Sequence, residues 1–245
     1  MIFVVNSENR QQFAADLEEM HRQRKAVFVD RAGWKLEVLG ESEVDCYDRH
    51  ETMYLLAKGQ PDGQVLASAR LLPTVGPHLM GDLFAGACRD APPRGPAVWE
   101  ISRFCITPEL NGRGVRLGLL WEIICGAMEA ALLYGIEQVI FAANRALLPL
   151  ALNCGWEART LGPGLPDGAD EITAAAAMIS PAGLRAVRRR HGVPVPVTRL
   201  LASIAPQSPA LFACRPPLEP AQDVPYPGGW VGHLCYDWPS PGALK

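Results

Sequence analysis

The stretch from Val98 to Tyr134 constrains this chain most. It opens as a strand, Val98-Trp99-Glu100-Ile101-Ser102-Arg103-Phe104-Cys105-Ile106, stopped by Pro108. A glycine-rich turn follows, Asn111-Gly112-Arg113-Gly114, and then a long helix over Arg113 to Tyr134 that Gly135 closes. Strand, glycine turn and long helix in succession predict a mixed α/β layer fold. The strand is unusual for its place. A strand buried on both faces is nearly all apolar, yet this one carries Glu100 and Arg103. Burying either is costly unless it pairs or serves a reaction. In regular alternation Glu100, Ser102 and Phe104 share a face and Arg103 points the other way. A bulge would bring Glu100 and Arg103 toward one cleft.

The rest of the chain reads around this unit. Phe3 to Val5 is a short strand and Ser7 to Val27 a helix, with an apolar face through Phe13, Leu17, Met20 and Phe28. Arg24 lies on that face, four residues before Phe28. Gly33 to Arg49 reads as irregular. Met53 to Lys58 and Val65 to Leu72 read as strands joined by a turn at Pro61-Asp62-Gly63. Pro73 to Pro96 is rich in loops. Gln138 to Ala142 is a buried type of strand, Ala146 to Asn153 a short helix capped by Gly155, and Trp156 onward and Thr173 to Ile179 two last strands. Pro181 to Arg190 is a short basic helix. These elements predict one domain over residues 1–195. Prolines at 194, 196, 206, 209, 216, 217, 220, 225, 227, 239 and 241 predict an irregular extension over 196–245, some of it packed back through Trp230, Tyr236 and Trp238.

Bulk properties exclude several function classes. A net charge of −3 over 245 residues gives no electrostatic case for nucleic acid. No apolar run is long enough to span a membrane, and the apolar start Met1 to Val5 is too short for a signal peptide. A cytoplasmic protein is expected. The seven cysteines are scattered with no C-x-x-C pair, which predicts reduced thiols and no metal site.

Charges in apolar settings carry the chemistry. Arg24, Arg70 and Arg103 stand against Asp45, Asp48 and Glu100, three against three, as one buried network would require. The turn after the charged strand presents backbone N–H groups and the positive end of a helix dipole, a cradle for phosphate. Its spacing resembles the acyl-CoA-binding loop of the GNAT acyltransferases, R/Q-x-x-G-x-G/A, with Asn111 in the first position and Arg116 in the last as departures.

The order Arg24, Phe28, Trp34, Asp45, Asp48, Arg70, Phe84, Glu100, Arg103 resembles the signature of the LuxI-type autoinducer synthases. The strings "RQRKAVFVDRAGW", "EVDCYDRHETMYLLA", "SARLLPTVGPHLMGDLF" and "WEISRFCI" carry the same likeness, and it spans about residues 1 to 190. The resemblance implies a GNAT-like central mixed sheet flanked by helices, its central strands splayed to admit a thioester. It implies acyl transfer from an acyl carrier protein or coenzyme A to the amine of S-adenosylmethionine, then lactonisation with release of methylthioadenosine. S-adenosylmethionine is then a substrate, and no cofactor is implied.

The resemblance also distributes roles. Glu100 is the candidate base, with Arg103 and Ser102 beside it. Arg24, Phe28, Trp34, Asp45, Asp48 and Phe104 fall to S-adenosylmethionine; Arg113, Gly114, Phe141, Ala142 and Ala143 to the acyl thioester; Arg70 and Phe84 to structure. Members making 3-oxo signals usually carry a threonine where this chain has Phe141-Ala142-Ala143-Asn144. The helix before Gly155-Trp156 lacks the basic residues that would dock an acidic carrier protein, which leans the donor toward coenzyme A. Arg185, Arg188, Arg189 and Arg190 form another basic patch. Two rivals remain: a GNAT-type N-acyltransferase without lactonisation, and a non-catalytic S-adenosylmethionine-binding module.

Overall fold

A computed structural model describes residues 1–201 apart from 62, 168, 169 and 194. The 196–245 extension therefore lies almost wholly outside the described residues, as does Asp62 of the expected turn. The main sheet is mixed. Its strands are β1 (Ile2–Val5), β4 (Met53–Lys58), β5 (Val65–Pro73), β6 (Val98–Ile106), β7 (Gln138–Asn144), β8 (Glu157–Thr160), β9 (Leu165–Asp167), β10 (Asp170–Met178) and β11 (Thr198–Arg199). They run in the order β11-β1-β4-β5-β6-β7-β10-β8, with β9 also on β10. A hairpin of β2 (Val38–Leu39) and β3 (Ser42–Glu43) stands apart within the segment expected to be irregular. β11 pairs with β1 beyond the expected 195 boundary.

Helices cover both faces. The 21-residue α3 (Arg113–Leu133) packs on β1, β4 and β5 from one side. Its Gly126 sits so close to β1 that a Cβ would lie 3.0 Å from Ile2 side-chain carbons, so any larger residue would push helix and sheet apart. α5 (Pro181–His191) packs on α3, capped by Ser180 Oγ accepting from Gly183 N–H at 3.0 Å. On the other face α1 (Ala14–Arg24) buries Leu17 and Met20 against Phe3, Val5, Tyr54 and Leu56. Among the described residues there are also the short α2 (Leu79–Asp82) and α4 (Leu148–Leu152) and a 3-10 turn at Ala85–Ala87.

The helix expected over Ser7 to Val27 differs. It begins as a 3-10 turn at Arg10–Phe13, is α-helical over Ala14–Arg24, and widens to a π-helix over Lys25–Arg31. An apolar period of 3.6 hides a π segment, which adds a residue per turn. That extra residue sets Phe28 where Trp34 folds back on it.

Two irregularities of β6 shape the centre. Against β5, Ser68 pairs with Cys105 but Arg70 pairs with Ser102, so Arg103 and Phe104 oppose the single residue Ala69. Arg103 takes φ 51°, the left-handed region that a non-glycine residue enters at a cost of about 1–2 kcal/mol. Against β7, parallel pairing covers only Val98↔Gln138, Trp99↔Val139 and Glu100↔Ile140, after which the strands diverge.

Candidate active site

The divergence of β6 and β7 opens a cavity of about 170 Å³. Its mouth is formed by Glu100, Ser102 and Arg103 with Trp34 and Phe84; its depth by Ile123, Ile124, Phe141, Ala143, Ala151 and Trp156. The deep end is apolar, and the Trp156 Nε1–H is already spent on the Ala151 carbonyl at 2.6 Å. A second cavity of about 220 Å³ shares Trp34, Leu79, Phe84, Arg103 and Ile172 with the first, and adds Lys35, Leu83 and the β9 residues Leu165 to Asp167. Glu100 and Arg103 thus face one cavity, as the bulge was expected to achieve.

Behind this wall lies a buried ion-pair network. Arg24 donates from Nη1 and Nη2 to the two oxygens of Asp48 at 2.8 and 2.9 Å, and from Nε to Glu43 Oε2. Arg70 makes the same fork onto Asp45 at 2.6 and 3.0 Å and donates from Nε to Ser102 Oγ at 3.1 Å. Arg103 bridges Glu43 Oε1 and Asp45 Oδ2 from one nitrogen, Nη2, at 3.0 and 2.8 Å. Arg24, Arg70 and Glu43 are at most 1 % exposed. Such charges persist in the interior only because each is forked or bridged. Burial alone would raise the Asp48 and Glu43 carboxyls, but the facing arginines outweigh it and hold both below the ordinary carboxylate range.

The expected balance holds with a different membership. The three arginines are matched by Glu43, Asp45 and Asp48, and Glu100 stands outside this set. Glu43 was missed because nothing local marks it. It lies next to the quoted Asp45 and Asp48, but only the fold brings it between Arg24 and Arg103. Glu100 is buried, and its Oε2 accepts from the Met80 N–H of α2 at 2.9 Å. Burial raises its pKa, while the Met80 hydrogen bond, Arg70 and Arg103 lower it; burial wins, and the value is about 7. A buried carboxylate with a pKa near neutrality at a cavity wall is suited to take and return a proton.

The aromatic pair is formed as well. Phe28 and Trp34 stack with centroids 4.9 Å apart and 12° between planes, and the Arg103 guanidinium lies 5.8 Å from the Phe28 centroid. Phe28 is held by both contacts and lines the first cavity, while Trp34 lines both cavities. The Trp34 Nε1–H is buried without a hydrogen-bond partner.

Of the other sequence-derived candidates, Phe104, Phe141, Ala142 and Ala143 line the first cavity. Phe84, assigned to structure by resemblance, lines both. Arg24, Asp45, Asp48 and Arg70 line neither and build the wall behind. Arg113 and Gly114 are exposed at the start of α3, where a Cβ on Gly114 would meet open space. Besides Glu43, the sequence reading missed Tyr54, which donates to Asp48 Oδ1 at 2.8 Å, and the wall contributed by β9.

A model of the family described as autoinducer synthase matches residues 8–187, well over half of the chain. This chain belongs to the autoinducer synthase family. An acyl-homoserine-lactone synthase from Ralstonia solanacearum is 45 % identical over 150 residues, 57 % of this chain and 71 % of that one. Two solved structures of CoA-dependent acyl-homoserine lactone synthases match the fold. MesI does so with TM-score 0.72 and 28 % identity over 81 % of this chain and 98 % of its own. BjaI, solved with SAM and isopentyl-CoA, does so with TM-score 0.74 and 27 % identity over 82 % of this chain and 93 % of its own. The family makes this chain an acyltransferase. Among the described residues no helix is long and apolar enough to cross a membrane, and the five cysteines there are unpaired.

Proposed function

We propose that this chain acylates the amine of S-adenosylmethionine from an acyl-coenzyme A thioester and then closes the lactone. The observation that carries the reading is the divergence of β6 from β7, with Glu100, a carboxylate outside the arginine network, at the mouth of an apolar pocket. A second cavity joins that mouth, as a reaction of two substrates requires.

The acyl chain fills the pocket floored by Phe141 and Trp156, and the thioester carbonyl sits where β6 leaves β7. S-adenosylmethionine takes the adjoining cavity. Trp34 offers its open face to the sulfonium and its unpaired Nε1–H to an acceptor on the nucleoside or the carboxylate. The ammonium gives a proton to the Glu100 carboxylate, and the freed amine attacks the thioester carbon. The developing oxyanion is stabilised by donors at the β6 edge, including the Ser102 hydroxyl, which Arg70 holds by its oxygen. Collapse expels the thiolate, which recovers a proton. The methionine carboxylate then displaces methylthioadenosine from its own γ-carbon: a C–O bond forms, the C–S bond breaks, and the sulfonium becomes a neutral thioether. The exposed start of α3 at Arg113 and Gly114 suits the coenzyme A phosphates.

Two observations support coenzyme A as donor. Chain and fold match the CoA-dependent MesI and BjaI along most of their lengths, and α4 carries no basic residue to dock an acidic carrier. The test is a comparison of kcat/KM for one acyl group carried on coenzyme A and on acyl carrier protein. Coenzyme A is expected to win at least tenfold; preference for the carrier protein would overturn the donor assignment. We further infer that the reaction takes place in the cytoplasm, where both substrates are made.

A further inference from the structure

We propose that Tyr47 is a positioning residue for the reaction, tying the ion-pair network to the α2 turn whose Met80 N–H aims the Glu100 carboxyl into the cavity. This rests on the reading of Glu100 as the base. Glu100 is the last residue of β6 paired with β7, so on that side no strand continues past it, although β5 still pairs along the other. Its recorded hydrogen bond comes from backbone: Met80 N–H, 2.9 Å from Oε2. The orientation of the base is therefore only as well defined as the position of a four-residue helix, Leu79–Asp82. An isolated turn of that length does not hold its own shape.

Tyr47 provides the anchor. Its hydroxyl donates to Asp82 Oδ2 at 3.1 Å, at the far end of the same turn. Its ring packs with Leu79 and Leu72 and lies 5.7 Å from the Arg70 guanidinium. Its backbone N–H donates to Asp45 Oδ1 at 2.9 Å, and its carbonyl accepts from Thr52 Oγ1. One residue, by its backbone N–H and its side chain, thus joins the Arg70–Asp45 fork to the turn that holds the base. The charged groups facing Glu100 are Arg70 on β5, Arg103 on β6 and Asp82 on α2. β7 brings no ionisable group within Gln138–Asn144, and Arg24 on α1 lies toward the far half of β6, beside Cys105.

Tyr47→Phe keeps the ring and removes only the bond to Asp82. Loosening α2 weakens the Met80 N–H bond, which favours the charged carboxylate, so the acid limb of the kcat profile is expected to move to higher pH. At pH 7 kcat falls about fivefold, less than the full loss of a hydrogen bond to a charged group because the Met80 N–H bond is loosened rather than removed, while KM for S-adenosylmethionine and for the acyl thioester stays within about twofold of wild type. Asp82→Ala, at an exposed position, reproduces the fall in kcat should Tyr47→Phe fold poorly, but not the limb shift, because it also removes the Asp82 charge that raises the Glu100 carboxyl. Asp82→Asn, whose amide oxygen still accepts from Tyr47, restores most of kcat. The double variant Tyr47→Phe/Asp82→Ala is no worse than either single. An unmoved acid limb with additive losses marks a structural role for Tyr47 and overturns the proposal, as does unchanged kcat in both single variants. Glu100→Gln separates the two readings. If it abolishes the acid limb while Tyr47→Phe changes nothing, only the positioning proposal fails; if it leaves activity intact, the base assignment itself falls.

Discussion

Three arginines and three carboxylates cancel behind the cleft, and one further carboxylate, Glu100, is left at neutral poise in front of it. Glu100 carries a cost that can be measured. Its folded pKa of about 7 lies above the ordinary 4.5, so folding is penalised once the group must ionise. The penalty is absent below about pH 4.5, grows through that window and is complete above about pH 7, where it amounts to roughly 3 kcal/mol. Glu100→Gln is therefore expected to lose at least about 100-fold in kcat yet to unfold at higher denaturant at pH 8, with no gain at pH 4.5. Equal or lower stability at pH 8 would show that Glu100 is not held against its ionisation. At this scale the sequence was informative wherever a charge interrupted an apolar run: Arg24, Arg70, Glu100 and Arg103 all stood out that way. Glu43 did not, because it sits in a polar segment and is buried only by partners far along the chain.

The elements around these residues are distorted where the site needs them to be. The β6 bulge turns Arg103 to the Glu100 side at the expense of a φ of 51°, and the guanidinium is locked by Glu43 and Asp45. Arg103→Gly would relieve about 1–2 kcal/mol of backbone strain but leave Glu43 and Asp45 each short of a buried partner, a loss of about 3–5 kcal/mol. The expected result in chemical denaturation is a net destabilisation of about 2 kcal/mol; a stabilised variant would mean that the ion pairs contribute little. Most regular elements were legible in the sequence, because the apolar periods of β4 to β7 and the glycine-flanked α3 are strong signals. The π-helix over Lys25–Arg31 and the β2–β3 hairpin were not. One departs from the period used to read helices. The other consists of two-residue strands with exposed Val38 and Leu39, too short to show alternation.

At the scale of the whole molecule, the far end of the described chain is tied to the core by its pairing with β1 and by one carboxylate. Glu129 on α3 accepts from Val197 N–H, Thr198 N–H, Thr198 Oγ and Arg188 Nη2, fastening β11 and α5 together. Burial opposes its ionisation, but the Thr198, Arg188 and Val197 donors prevail and lower its pKa. Its contribution is thus present above the ordinary carboxylate pKa and is lost as pH falls through the lowered folded value. Glu129→Gln is expected to cost about 1.5–3 kcal/mol near pH 7, with the gap closing only as pH falls below about 4.5; a constant gap across pH would contradict a charged clamp. The resemblance read from separated motifs also operates at this scale. It placed the chain in its family because several motifs recur in order, whereas the second cavity, walled in part by β9 with Trp34 and Lys35, has no pattern in the sequence.

The claim on which the rest depends is that one active site couples amide formation to lactone closure. It is tested most directly by mass spectrometry of the products formed from S-adenosylmethionine and an acyl-coenzyme A. The account expects N-acyl-homoserine lactone and methylthioadenosine to accumulate in equal amounts, one of each for every coenzyme A released. Coenzyme A release with an acylated amine and no methylthioadenosine would contradict it.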